Sequence, residues 1–358
     1  MAIEIDRRAF LAAAGAAFLT GLPAAGGEAL AGSRALFATA FMDEAKAYGF
    51  AIVTERGEIV HREAMPGRAH GLAWSAEAGR AVAFARRPGN FAIGFDPAGR
   101  RAPIAFHAPD ARHFYGHGVF SRDGGLLYAA ENDLDAGIGK IGIYDAADGF
   151  RRLGEFDSFG VGPHEIILMR DGRTLAVANG GIRTHPDFGR AKLNLAEMKS
   201  TIALIDGETG SLIADFRLPA DYRRMSLRHM VHAGDGSLWI GGQFEGDVFA
   251  PVSPVIRLDP DGALAPIELA RPARSLLAGY VGAVALSADG GQAGFSSPKG
   301  GGYIVIDTMT KRLLGRTALA RNSGLAAAGQ AMIASSEFGR IGECQYPLYW
   351  DNHICAIG

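Results

Sequence analysis

His70, His117 and His164 lie 47 residues apart, and each opens the same local sentence. In its fullest form, Gly162 to Gly180, an apolar strand follows the histidine, an Asp-Gly turn follows that strand, and a second apolar strand ends on a polar residue. The sentence runs from His70 to Arg86, from His117 to Asn132 and from His229 to Gln243. Two further copies lack the histidine, at Val281 to Pro298 and Ser323 to Glu337. A fixed period of this size, with each unit too small to bury its own faces, points to a propeller or another closed repeat array. His164 to His229 spans 65 residues, and the surplus is nearly the length of the segment Gly181 to Lys199, so the period continues around one long inserted loop.

Full units have four strands, as in the one that begins at His70. The first unit has only three, near Ala35 to Phe41, Tyr48 to Glu55 and Glu58 to Glu63. Its missing inner strand is found at the other end of the chain, Asp351 to Ile357, which again carries a histidine, His353. The expectation is therefore an all-β chain, a seven-bladed β-propeller whose C-terminal strand joins the N-terminal blade and leaves no open sheet edge at the seam. Fifty glycines between short apolar runs suit such a hairpin-rich protein. The last unit is short and ends in an irregular stretch.

Residues 1–31 are set apart from this domain, which occupies residues 32–358. Arg7-Arg8 followed by the Ala-rich run Ala9 to Leu22, with Pro23 and the small residues Ala29-Leu30-Ala31 after it, resembles a twin-arginine export signal. Ala12 stands where many such signals carry Lys. A membrane anchor is the other reading, but the run is shorter than the roughly 20 residues a bilayer requires, so no stable membrane insertion of the mature chain is expected. The formal charge of -2 implies no nucleic-acid partner. Cys344 and Cys355 suggest a disulfide in an oxidising compartment, with two thiolate metal ligands as the alternative.

The first strand of each propeller blade lines the central channel. His70, His117, His164, His229 and His353 all stand at first-strand starts, so five imidazoles are expected to converge on one axial mouth. Glu131, Asn132, Glu165, Asn179 and Arg228 are the expected neighbours, and His185 and Asp187 come from the inserted loop. Imidazoles with nearby carboxylates and amides suit a transition metal, with iron or copper favoured. The alternative is structural, because propellers of the WD type also place a Gly-His pair before the first strand and use it in a buried hydrogen-bond network. His113 and His117 are expected in a loop leading into a strand, and Glu337, Glu343 and Asp351 are further carboxylates near the closing strand. No nucleophile elbow, Walker loop or dinucleotide fingerprint is present.

Long strings then identify a relative. His113 to Ser121, Glu131-Asn132-Asp133, Gly162-Pro163-His164-Glu165, Ala178 to Ile182, Thr184 to Asp187, Gly189 to Leu195 and Trp350 to His353 resemble the bacterial domain-of-unknown-function family 1513. The resemblance implies a seven-bladed propeller of the YVTN type, exported to the periplasm. It also implies iron-uptake partners, imelysin-like or dihaem-oxidase-like proteins. It supplies no reaction. Three functions are left open: a periplasmic metal-binding or iron-handling propeller, a metal-dependent lyase or lactonase with Glu165 or Glu131 as base, and an interaction platform with structural histidines.

Overall fold

The computed structural model describes residues 24–86, 90–189, 191–247 and 250–357. The twin-arginine pair lies outside them. Among the described residues, twenty-eight strands form seven four-stranded antiparallel sheets. The first blade contains β1 (Leu36–Asp43), β2 (Tyr48–Thr54) and β3 (Ile59–Met65), and the second β4 (Ala69–Ser75), β5 (Arg80–Ala85), β6 (Phe91–Phe95) and β7 (Ile104–His107). Blade three is β8 (Arg112–Phe120), β9 (Leu126–Asp133), β10 (Ile138–Asp145) and β11 (Arg151–Asp157), and blade four β12 (Pro163–Leu168), β13 (Thr174–Asn179), β14 (Thr201–Asp206) and β15 (Leu212–Phe216). Blade five holds β16 (Met225–His232), β17 (Leu238–Phe244), β18 (Val255–Leu258) and β19 (Leu264–Pro266). Next come β20 (Ala283–Leu286), β21 (Gln292–Ser297), β22 (Gly302–Asp307) and β23 (Leu313–Ala318). The seventh blade has β24 (Asn322–Ala328), β25 (Ala331–Ser336) and two-residue outer strands, β26 (Arg340–Ile341) and β27 (Cys344–Gln345). Finally β28 (Leu348–Ala356) pairs with β1 and completes the first blade.

The seven-bladed ring closed by its C-terminal strand is thus the fold. Inner strands of adjacent blades touch around the whole ring, including β24 with β28 and β28 with β4. Apolar clusters sit between blades: Phe84, Phe106, Phe114 and Phe150 join blades two and three, and Phe37, Ile333 and Trp350 join seven and one. Both faces of each sheet are covered, so middle strands are apolar along their length, as in Leu175 to Ala178. The Asp-Gly turns are built alike. Asp171 accepts the backbone N–H of Arg173 and Thr174 at 2.9 and 2.8 Å, while Gly172 takes the positive φ of 72° that the turn requires.

Two expectations need correction. Cys344 and Cys355 are free thiols. The reason is radial: Cys344 is on β27 at the outside of blade seven, whereas Cys355 is on β28, the inside of blade one, where burial pushes its thiol up to about 12. His113 and His117 lie on β8 itself, whose early start extends the strand through both. Helix α1 (Ala24–Gly32) includes residues 24–31, read as the end of the leader, and buries Ala29 and Leu30 against Leu36, Ile52 and Val60. A second helix among the described residues, α2 (Arg271–Leu277), packs on blade six and was not anticipated. No helix of the described residues is long and apolar enough to cross a membrane.

Candidate metal centre at the axial mouth

Each histidine-bearing inner strand breaks register with its neighbour at the histidine or at the residue beside it. On β4, His70 and Gly71 fall in the register shift between Ala69 and Leu72, and on β8 Tyr115, Gly116 and His117 fall between Phe114 and Gly118. His164 is the extra residue between Pro163 and Glu165, and Arg228 the one between Leu227 and His229. On β28, Asp351, Asn352 and His353 bulge out where Trp350 and Ile354 still pair with β1. A bulge re-aims side chains that a regular pleat would alternate between the two faces. Here it directs the rings to the axis.

Five rings meet there. Centroid separations are 4.7 Å for His70–His353, His117–His353, His164–His229 and His229–His353, and 5.0 to 5.4 Å for His117 with His70, His164 and His229. This close approach depends on glycine. A Cβ on Gly71 would stand 2.8 Å from His117 Nδ1, and one on Gly116 would stand 2.6 Å from the His70 ring. Gly116 also takes a φ of 102°, a conformation that L side chains rarely adopt.

Two carboxylates flank the rings. Glu165 sets one oxygen 3.4 Å from His117 Nδ1 and the other 3.5 Å from His229 Nδ1, and also accepts the Met230 N–H at 2.6 Å. Asp351 lies 3.7 Å from His70 Nδ1 and is held by Arg68 at 2.5 Å and Arg86 at 3.2 Å. Burial alone would raise both carboxylates, but His117 and His229 hold Glu165, and His70, Arg86 and Arg68 hold Asp351, well below the usual range. The imidazoles of His70, His164, His229 and His353 shift down. Burial takes His70 to about 3 against the pull of Asp351. Burial also lowers His229 despite Glu165, and lowers His164 and His353 far, helped by Arg228 at His164 and by the neighbouring rings at both.

Imidazole nitrogens without partners are therefore packed together. His117 Nε2, His164 Nδ1 and His353 Nε2 are buried with no hydrogen-bond partner. A buried, unsatisfied polar atom costs about 1–3 kcal/mol, so three of them together require a cause. A cation supplies one. Two sets, His70–His117–His353 and His117–His164–His229, each bring their candidate ligand atoms within 4.8 Å of one another, and they share His117. Nitrogens bound at about 2.1 Å to one tetrahedral ion are about 3.4 Å apart, so the rings would have to draw in by about an ångström. Glu165 and Asp351 already occupy the outer position that orients metal-binding imidazoles.

Of the neighbours read from the sequence, Glu165 reaches the rings, while Asn132 and Arg228 line a cavity just outside them. Glu131 and Asn179 do not. Glu131 turns into blade three, taking Tyr144 at 2.5 Å and Arg152 at 2.8 Å, and Asn179 spends its amide on Ser158 and Thr201. Even spacing placed them at the mouth, but strand alternation aims them elsewhere. His185 and Gln243 also line the cavity, and Glu245 instead pairs with Lys192. Arg68 went unnoticed, since it belongs to no repeated position.

Similar folds occur elsewhere. Kuenenia stuttgartiensis hydrazine synthase superposes with a TM-score of 0.62 at 13% identity, over 81% of this chain and 86% of that one. The Cps50 (Swd1) propeller domain of Myceliophteria thermophila gives 0.56 at 13% identity, over 88% and 96%. These likenesses concern the fold. No curated protein matches the sequence. A family model described as "Protein of unknown function (DUF1513)" matches residues 63–357, and the chain belongs to that family.

Proposed function

We propose that this propeller binds a late first-row transition metal at the axial histidines, and that it handles iron or copper in the periplasm after twin-arginine export. The observation that carries the reading is the group of buried imidazole nitrogens on His117, His164 and His353 that have no partner in the protein. An all-imidazole donor set suits Cu, Zn, Ni and Fe(II), and affinity within such a set rises to Cu(II). Because burial keeps His70, His164, His229 and His353 neutral near pH 7, their lone pairs are free for a cation with little proton release. Imelysin-like or dihaem-oxidase-like proteins of iron uptake are the proposed partners, on the strength of the family resemblance.

The test is metal titration of chelator-treated protein with Cu(II), Zn(II) and Fe(II), followed by elemental analysis after desalting. Retention of copper by the wild type and its loss in H117A with an unchanged far-UV spectrum support the reading. A wild type that retains none of the three returns the histidines to a structural role.

A further inference from the structure

A cavity of about 640 Å³ opens outside the histidine cluster, with His164 in its wall. Its charge is one-sided. Among the described lining residues are Arg86, Lys192 and Arg228, and no aspartate or glutamate. Two of these cations are already neutralised, Arg86 by Asp351 and Lys192 by Glu245. Arg228 is not: among the described residues no carboxylate pairs with its guanidinium, and its Nε is buried without a hydrogen-bond partner. It stands in this wall because it is the bulged residue of β16.

A part-buried guanidinium without an anion is costly, and its planar fork matches a carboxylate bidentately. The rest of the wall narrows the choice. Phe114, Leu134, Ile182 and Tyr280 offer carbon surface, whereas Asn132 and Gln243 offer neutral amides. One uncompensated positive charge among apolar walls fits one carboxylate on an organic body better than a compact dianion such as phosphate.

We propose that this cavity is a binding site for a small organic carboxylate, clamped by Arg228 beside His164. The site goes beyond the metal reading and stands without it, since the guanidinium and its cavity need no cation. Isothermal titration of metal-free, full-length protein with benzoate, succinate and inorganic phosphate tests it. At least one carboxylate should bind saturably, one per chain, and R228Q should weaken it tenfold or more. A crossed pair of variants separates the two readings: R228Q keeps copper retention and loses the carboxylate, while H117A, outside the cavity wall, loses copper and keeps the carboxylate. Absence of saturable binding by either carboxylate, equal binding by R228Q, or tighter binding of phosphate overturns the proposal.

Discussion

His70 and His353 come from near opposite ends of the chain, yet their ring centroids are 4.7 Å apart, at the point where the propeller closes. Each belongs to the set that also contains His117, whereas His164 and His229 belong only to the other set. Single replacements should therefore be unequal. H70A or H229A should lower copper affinity and leave measurable binding through the remaining set, but H117A should abolish it. Competition titration against a chelator of known affinity distinguishes these outcomes, and equal losses in all three variants would contradict the shared-ligand arrangement.

Glu165 provides a second expectation. Its charge faces Nδ1 of both His117 and His229, which leaves Nε2 of His117 as a lone-pair donor. E165Q keeps the shape and removes the charge. Outer-position carboxylates of this kind are worth about 10–100-fold in metal affinity, so the copper dissociation constant should rise by that factor. An unchanged constant would assign Glu165 to folding alone.

Acid should unfold the metal-free protein early. His70 falls to about 3 in the fold, and His164, His229 and His353 are also lowered, so the unfolded chain binds more protons than the native state below its ordinary histidine range. Stability is then fully present above about pH 6.5 and declines as pH falls from there towards 3. With several rings involved, the slope should exceed about 1.4 kcal/mol per pH unit, the value for one proton. Urea midpoints measured from pH 8 to pH 5 give the slope, and a flat profile would show that the rings are not held neutral.

At Gly116 the consequence is steric. An alanine would have to keep a φ of 102° with its Cβ 2.6 Å from the His70 ring. G116A should cost about 1–3 kcal/mol from the backbone alone and lower the melting temperature by several degrees. It should also weaken copper binding, since His70 has to move. G329A is the control: Gly329 likewise has a positive φ, 65°, but nothing lies within 4 Å of its Cβ, so it should lose stability without losing metal.

The free thiols predict a negative result. Reducing agent should leave the melting temperature unchanged, and alkylation of denatured, never-reduced protein should label both Cys344 and Cys355 by mass spectrometry.

The ring and its closure were legible because a 47-residue period and a missing first strand are one-dimensional facts. Convergence of the five histidines followed from their place on the inner strands, although His117, His229 and His353 stand within their strands and not at the starts where the sequence put them. What could not be read is local aim. Glu131, at the end of a second strand, and Glu165, beside a repeated histidine, were both expected at the mouth, yet one faces Tyr144 and Arg152 inside its blade and the other bridges two rings. The bulges decide this, and the Gly71 and Gly116 that accompany two of them were visible only as ordinary Gly-His neighbours. The disulfide expectation failed for a related reason: eleven residues of separation say nothing about radial position in a propeller.

Closure by β28 also sets an order of events. His353 and Asp351 lie on β28, which follows every other described strand in the chain, so His117, His164 and His229 can come together before β28 docks but the full ring cannot. The His70–His117–His353 set can form only once β28 has docked on β1. A chain without β28 would then be marked by its failure to load this set, which makes cation occupancy a readout of whether the ring was finished.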